Sequence, residues 1–240
     1  VNVAGPQARH VLAALSSADL DGAAFPYLGV REIDVAGIPA RAMRVGFVGE
    51  WGYEVHVPAE HGAALWQALM QAGAALAIRP FGVEAQRLLR LEKGHIIIGQ
   101  DTDGLTVPRE AALGWATKLD KAFFIGQRSL QAIAKRPQKQ TLVGFTLEIP
   151  GMDASQDSHP DMPSESHLVI VDGEISGRIT SVAFSPALGH VIGMAFVTPA
   201  LSAVGTRLPF RLTSGKMVNA QVVALPFYDA AGARQKEASA

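Results

Sequence analysis

The spacing of apolar residues changes period several times along this chain, and each change predicts an element. At positions 1–4 a strand-like run ends in Gly5-Pro6, and proline suits the first turn of a helix. Ala8, Val11, Leu12 and Leu15 then recur at helical spacing. Positions 30–35 and 41–47 read as strands around a turn at Ala36-Gly37-Ile38-Pro39, and 53–57 alternates until Pro58 stops it. Positions 60–77 predict a helix with Leu65, Trp66, Leu69 and Met70 on one stripe. Pro80-Phe81-Gly82 breaks the chain, and 83–93 predicts a further helix closed by Gly94. Strands followed by helices give an α+β layer, not a repeating βαβ sheet.

A loop-rich stretch follows at 100–119, then a short helix at 125–135 that Arg136-Pro137 ends. From Thr141 the character changes. Positions 141–149 alternate, and 151–167 is polar, acidic and rich in Ser and Pro, which predicts a flexible loop. Positions 168–171 and 174–181 flank Asp172-Gly173, a pair that supplies the positive φ of a tight hairpin. Further short strands at 190–197, 207–212 and 217–225 predict a small β-barrel or sandwich. The organisation expected is an α+β domain over 1–137, a β-barrel over 138–230 and a disordered tail over 231–240. No internal repeat is present. The abrupt opening, in what reads as mid-strand, suggests a piece of a longer protein.

Composition narrows the function classes. A chain of 240 residues that is 48% hydrophobic can bury a core without covalent staples. A net charge of -1 leaves no basic excess to neutralise phosphates, so nucleic-acid binding has no electrostatic support. No apolar run reaches the ~18 residues of a membrane span, and no signal peptide is visible. The absence of cysteine excludes disulfides, thiolate metal sites and thiol catalysis, and a cytoplasmic location fits. His56 and His61 stand across a strand-to-helix junction and read as surface groups, so no metal site is expected. Neither a nucleophile elbow nor a phosphate-binding glycine loop occurs, which argues against flavin or nicotinamide binding by this chain.

Two segments are unusual. In Gly46-Phe47-Val48-Gly49-Glu50-Trp51-Gly52-Tyr53-Glu54, three glycines predict a tight reversal, with Glu54 at the start of the returning strand. A carboxylate there can accept two parallel N–H donors from a planar heterocycle such as a pterin. The alternative is that Glu54 faces solvent on an alternating strand. In Gln86-Arg87-Leu88-Leu89-Arg90-Leu91-Glu92-Lys93-Gly94, Arg87 and Arg90 are three apart on a helix and share a face, which suits a dianionic ligand. The alternative is a solvated ion pair between Glu84 and Arg87.

These segments, with Gly5-Pro6-x-Ala8-Arg9-x-Val11-Leu12, Phe25-Pro26-Tyr27, Ile98-Gly99-Gln100-Asp101-Thr102-Asp103, Gly114-Trp115-x-x-Lys118, Phe124-Ile125-Gly126, Ser185-Pro186-Ala187-Leu188-Gly189 and Ile192-Gly193-Met194-Ala195, resemble the glycine-cleavage T-protein (aminomethyltransferase) family in order along nearly the whole chain. The runs at 79–82 and 100–105 look closest to the folate-binding domain of sarcosine-oxidase-like enzymes. The resemblance implies a three-domain cloverleaf with tetrahydrofolate in a central channel. It implies a partial folate-binding domain here, followed by the C-terminal barrel.

By the same resemblance Glu54 matches the glutamate that bonds the pterin. Phe47 stands where tyrosine is frequent, which keeps stacking and loses a hydroxyl contact. Arg87 and Arg90 fall in the region that holds the folate tail, and Gln86 is the alternative match to the usual arginine. The family's catalytic aspartate lies upstream of the segment matched by 1–15, so no residue of this chain is assigned that role. Standing alone, the chain is expected to bind folate with catalysis impaired or absent.

The activity implied is transfer of a one-carbon unit to tetrahydrofolate. The donor is either an aminomethyl group on a lipoyl carrier protein, or a demethylation product where other subunits hold the flavins. The alternative function is a non-catalytic folate-binding or scaffold module. One relative of that class serves iron–sulfur cluster maintenance through a Lys-x-Cys-type motif, and the corresponding stretch at 121–128 has no cysteine.

Overall fold

A computed structural model describes residues 1–153 and 159–236. The chain divides into two compact units, residues 1–90 with 229–240, and residues 91–228. The division falls inside one helix.

The first unit opens with β1 (Asn2–Ala4) and α1 (Ala8–Ala13), continues through β2 (Val30–Val35), β3 (Ile38–Met43) and β4 (Gly52–His56), and then turns helical with α2 (Gly62–Ala72) and α3 (Val83–Glu92). The strands form one antiparallel sheet in the order β1-β4-β3-β2. β2 and β3 are joined by Ala36 and Gly37 alone, both at positive φ (55° and 75°), as a two-residue hairpin of matching twist demands. The turn is therefore shorter than the sequence suggested, and Ile38 and Pro39 belong to the strand.

One face of this sheet carries Val3, Tyr53, Val55, Ala42 and Ala40 into a core with Val11 and Leu12 of α1 and Leu65 and Leu69 of α2. Strand alternation sends Asn2, Glu54, His56, Met43 and Arg41 to the opposite face. The expected helix over 60–77 is a 3₁₀ turn (Ala59–His61), then α2, then a second 3₁₀ turn (Ala74–Leu76). Gly73 interrupts it, because Ile78 folds back to within 2.6 Å of where a Cβ would stand. Trp66, expected on the buried stripe, is 45% exposed.

The second unit holds α4 (Gln127–Ala134), β5 (Thr141–Leu147), β6 (Leu168–Val171), β7 (Glu174–Ser185), β8 (His190–Val197), β9 (Arg207–Arg211) and β10 (Met217–Val223). The six strands close into a barrel in the order β10-β5-β8-β7-β6-β9, so the barrel alternative is the one realised. Asp172 and Gly173, at φ 52° and 82°, make the β6–β7 hairpin. Its interior is filled by Phe145, Phe210, Val169, Ile179, Ala195 and Leu208, with the two phenyl centroids 4.7 Å apart.

β5 does not alternate as its sequence suggested. It is buried almost throughout, because a second cluster of Leu142, Ile192, Met194, Phe196, Leu91 and Ala111 covers the outer face of β5 and β8. A strand buried on both faces reads as a continuous apolar run. The flexible loop expected at 151–167 lies in part outside the described residues. At its described end His167 bonds Thr213 at 2.9 Å.

The tail differs from expectation. Ala233–Lys236 forms a short helix, α5, with Gln235 buried, and only 237–240 lie outside the described residues. Among the described residues no helix is long and apolar enough to cross a membrane.

Candidate functional site

Glu54 occupies the middle of β4, with Asn2 of β1 opposite it on one side and Met43 of β3 on the other. Directly opposed residues share a face, so the carboxylate stands on the open side of the sheet. Its side chain is 38% exposed, and Oε2 lies 3.5 Å from His56 Nε2. The group reaches solvent, as the second sequence alternative expected, from the middle of the sheet. The amide oxygen of Asn2 beside it is buried with no hydrogen-bond partner. An orphaned acceptor in a wall of this kind marks a place where a donor is missing.

Phe47 lies in the loop between β3 and β4 and is half-buried. That loop is drawn tight. Gly49 takes φ 84°, and a Cβ on Gly46 would collide with the Glu50 carbonyl oxygen and stand 3.1 Å from the Gln235 side-chain nitrogen. The tyrosine-rich wall behind the loop holds Arg44, fully buried. Its guanidinium carbon sits 3.4 Å from the centroid of Trp51, 5.6 Å from Tyr53 and 5.8 Å from Tyr27. Burial lowers the Arg44 pKa, and the two phenols work in the other direction. Sequence reading gave Arg44 no role, because an arginine inside the strand expected at 41–47 looks like a surface residue.

The helix residues are not presented alike. Arg90 is buried, whereas the Arg87 side chain is 38% exposed and lies 3.6 Å from Glu84. The three-residue spacing expected them to share a face; the structure leaves Arg87 partly exposed and Arg90 buried. Gln86 instead lines a cavity of ≈ 490 Å³ at the β1 edge of the sheet, together with Asn2, Arg79, Trp66, Met70 and Phe81. That volume lies within the range of small-molecule sites, which runs to several hundred Å³. Glu54, Phe47, Arg87 and Arg90 do not line it. Glu54 adjoins it through Asn2, its register partner, which does. Among the described residues no cluster of His, Asp and Glu could hold a metal ion.

The second unit contributes a buried anchor. Asp101, 0% exposed, accepts hydrogen bonds from Thr180 Oγ1 (2.6 Å) and Ser181 Oγ (2.5 Å) on β7, and from the Ile97 amide (2.9 Å). This fixes the Gly99-Gln100-Asp101-Thr102-Asp103 loop to the barrel. A second buried link joins Ser185 Oγ to Glu92 Oε1 at 2.6 Å.

Comparison with known proteins places two family models on the chain, one on either side of residues 122–140. A family model described as the GCVT N-terminal domain matches residues 1–121, and the glycine cleavage T-protein C-terminal barrel domain matches 141–229. An aminomethyltransferase of Streptomyces coelicolor is 38% identical over 230 residues, covering 94% of this chain and 59% of that protein. The sarcosine oxidase subunit alpha of a Corynebacterium species is 34% identical over 244 residues, covering 98% of this chain and 24% of the subunit. The crystal structure of glycine cleavage system aminomethyltransferase T from Bartonella henselae superimposes with a TM-score of 0.75 at 28% identity, over 93% of this chain and 57% of that one. The chain thus spans less than two thirds of the length of these relatives.

Proposed function

We propose, for a chain that belongs to the glycine cleavage T-protein family, that it binds tetrahydrofolate as part of a one-carbon transferase. The observation that carries this reading is the placement of Glu54. A carboxylate held at the centre of a sheet, flanked by an unpartnered Asn2 amide oxygen, suits the paired N–H edge of an aminopyrimidine. Phe47, at the rim of the tight loop, supplies a stacking surface. Gln86 and Arg79 supply polar groups on the cavity wall, alongside Asn2 and Gln7, which fits the charged tail of a folate. Arg87 is a second candidate for that tail. Arg90, being buried, supports α3 from within.

The chemistry proposed is attack by the N5 nitrogen of tetrahydrofolate on the methylene carbon of the donor, with the carrier sulfur of an aminomethyl donor leaving as a thiol, and closure by N10 expelling ammonia from that donor or the amine from an iminium donor. The residues named bind and orient the ring, so their contribution is positioning. The acid–base role is assigned to none of them. The donor is either an aminomethyl group on a lipoyl carrier protein or an iminium formed by flavoprotein subunits from an N-methyl amine, and the two branches are represented by the named relatives. A cytoplasmic setting and a domain division near 137/138 accompany this reading.

Calorimetric titration of 5-formyl-tetrahydrofolate into the chain and into Glu54→Ala tests it. Saturable one-to-one binding that the substitution removes is the expected result. A folded chain without affinity for the ligand would leave a non-catalytic scaffold as the better reading.

A further inference from the structure

The last described residues return to the first unit and clasp the loop that carries Phe47. Gln235 follows Gly46 by 189 positions, yet its side-chain nitrogen donates to the Gly46 carbonyl oxygen, and its own carbonyl accepts from Arg44 Nη2 at 2.6 Å. One residue earlier, Arg234 Nη1 lies 3.0 Å from Glu50 Oε1. Both ends of the 46–50 loop are therefore held by two adjacent residues of α5, and Phe47, Val48 and Gly49 lie between the two clamps.

Several features distinguish this from incidental packing. Gln235 is only 5% exposed, unusual for a glutamine so near a chain end. Its amide nitrogen and its backbone carbonyl are both engaged, so its burial leaves no gap in hydrogen bonding. A four-residue helix has no stability of its own. Its order must come from docking and from Asp229, whose carboxylate accepts from the Ala233 and Arg234 amides at 3.0 and 3.3 Å. The loop has no slack on the facing side, since a Cβ on Gly46 would stand 3.1 Å from the Gln235 amide nitrogen.

We infer that the segment 229–236 is a strap that sets the 46–50 loop in its folate-competent shape, which makes Gln235 and Arg234 positioning residues for the site containing Phe47. The inference rests on the folate reading above for its ligand, but its mechanical part stands on the clamps alone. A loop held in one conformation binds without first being ordered, and releasing it reduces affinity by the fraction of time it is out of place.

The test uses the 240-residue chain with Gln235→Ala, Arg234→Glu, and the exchanged pair Arg234→Glu with Glu50→Arg. Two readouts are taken on each: 5-formyl-tetrahydrofolate affinity by calorimetry, and hydrogen exchange of the 46–50 amides by mass spectrometry. Both single variants should exchange faster in the loop and bind roughly tenfold more weakly, as expected for loss of a charged or buried hydrogen bond. The exchanged pair should recover protection and affinity, which a general loss of stability would not reproduce. Unchanged exchange and affinity in both single variants overturn the strap. A wild-type chain that binds no folate overturns the folate reading and the positioning role with it, and faster loop exchange in the variants separates that result from failure of the strap.

Discussion

The guanidinium of Arg44 stacks on Trp51, its central carbon 3.4 Å from the ring centroid, in a place where neither group touches water. Among the described residues no carboxylate pairs with this cation. Its charge is balanced by ring faces and by carbonyls of Gly52 (3.5 Å) and Gln235 (2.6 Å). The planar fork makes both contacts at once, which an ammonium cannot do. Arg44→Lys should therefore behave like a loss of function at this position, lowering stability by about 2 kcal/mol through lost stacking and a lost charged hydrogen bond. Urea unfolding of the two proteins measures it, and equal midpoints would show that the ring stack contributes nothing.

At Glu54 the carboxylate, and not merely a polar group, is expected to matter. Glu54→Gln keeps the shape and halves the accepting capacity, so it should weaken 5-formyl-tetrahydrofolate binding by about 1.5–3 kcal/mol, roughly ten- to a hundredfold. Calorimetry on the glutamine variant, with circular dichroism to confirm folding, reads the effect directly.

Gln86 offers the opposite experiment. It stands on the cavity wall, and it is the alternative match to the arginine that the family resemblance expects in this region. Gln86→Arg should tighten binding of a polyglutamylated folate several-fold and leave a folate without a glutamate tail unaffected, since the gain is one charge-assisted contact. Competition between the two ligands would show it. Equal change for both would place the tail elsewhere.

Asp101 is expected to act on the barrel unit alone. Asp101→Ala leaves the Thr180 and Ser181 hydroxyls and the Ile97 amide without their buried acceptor. Charge-assisted bonds of this kind each contribute about 1.5–3 kcal/mol, so a loss near the upper figure is expected, with Asp101→Asn intermediate. Denaturant titration of the three proteins provides the check.

Tyr53 gives a pH signature. Burial raises its phenol pKa, more than the Trp51 hydrogen bond and the Arg44 charge lower it. A raised value in the folded state means that stability is complete below the unfolded phenol pKa of about 10 and is lost as pH rises from there through the folded value. Phenolate absorbance during alkaline titration should rise late for one of the three tyrosines, together with unfolding. Tyr53→Phe should remove that late component, and its persistence would assign it to another residue.

How much of this was readable in the sequence depended on the range of the forces involved. β2 and β8 were bounded to the residue, because turn chemistry at Ala36-Gly37 and at Gly189 is local. The strand expected at 41–47 ends at Met43 instead, since Arg44 turns inward onto aromatic rings that the sequence places 7 to 17 positions away. β5 looked half-exposed because nothing near it announces Leu91 and Ala111, which cover its outer face. The candidate site divides in the same way. Glu54 was singled out from its glycine-flanked window. Asn2 was not, because only the register of β1 against β4 brings it opposite. Gln235 lay in a tail whose small polar composition reads as disorder, and its partners are nearly the whole chain away.

Barrel closure has a consequence for how this protein behaves when concentrated. Among the described residues the six strands of the second unit leave no free edge, whereas β2 is an edge strand of the four-stranded sheet of the first. Unpaired edges are where one molecule can recruit another into fibrils. β2 presents Arg31, Glu32 and Asp34 along its edge, charges that make stacking of identical copies unfavourable. Resistance to strand-mediated aggregation at the β2 edge therefore rests on these three side chains.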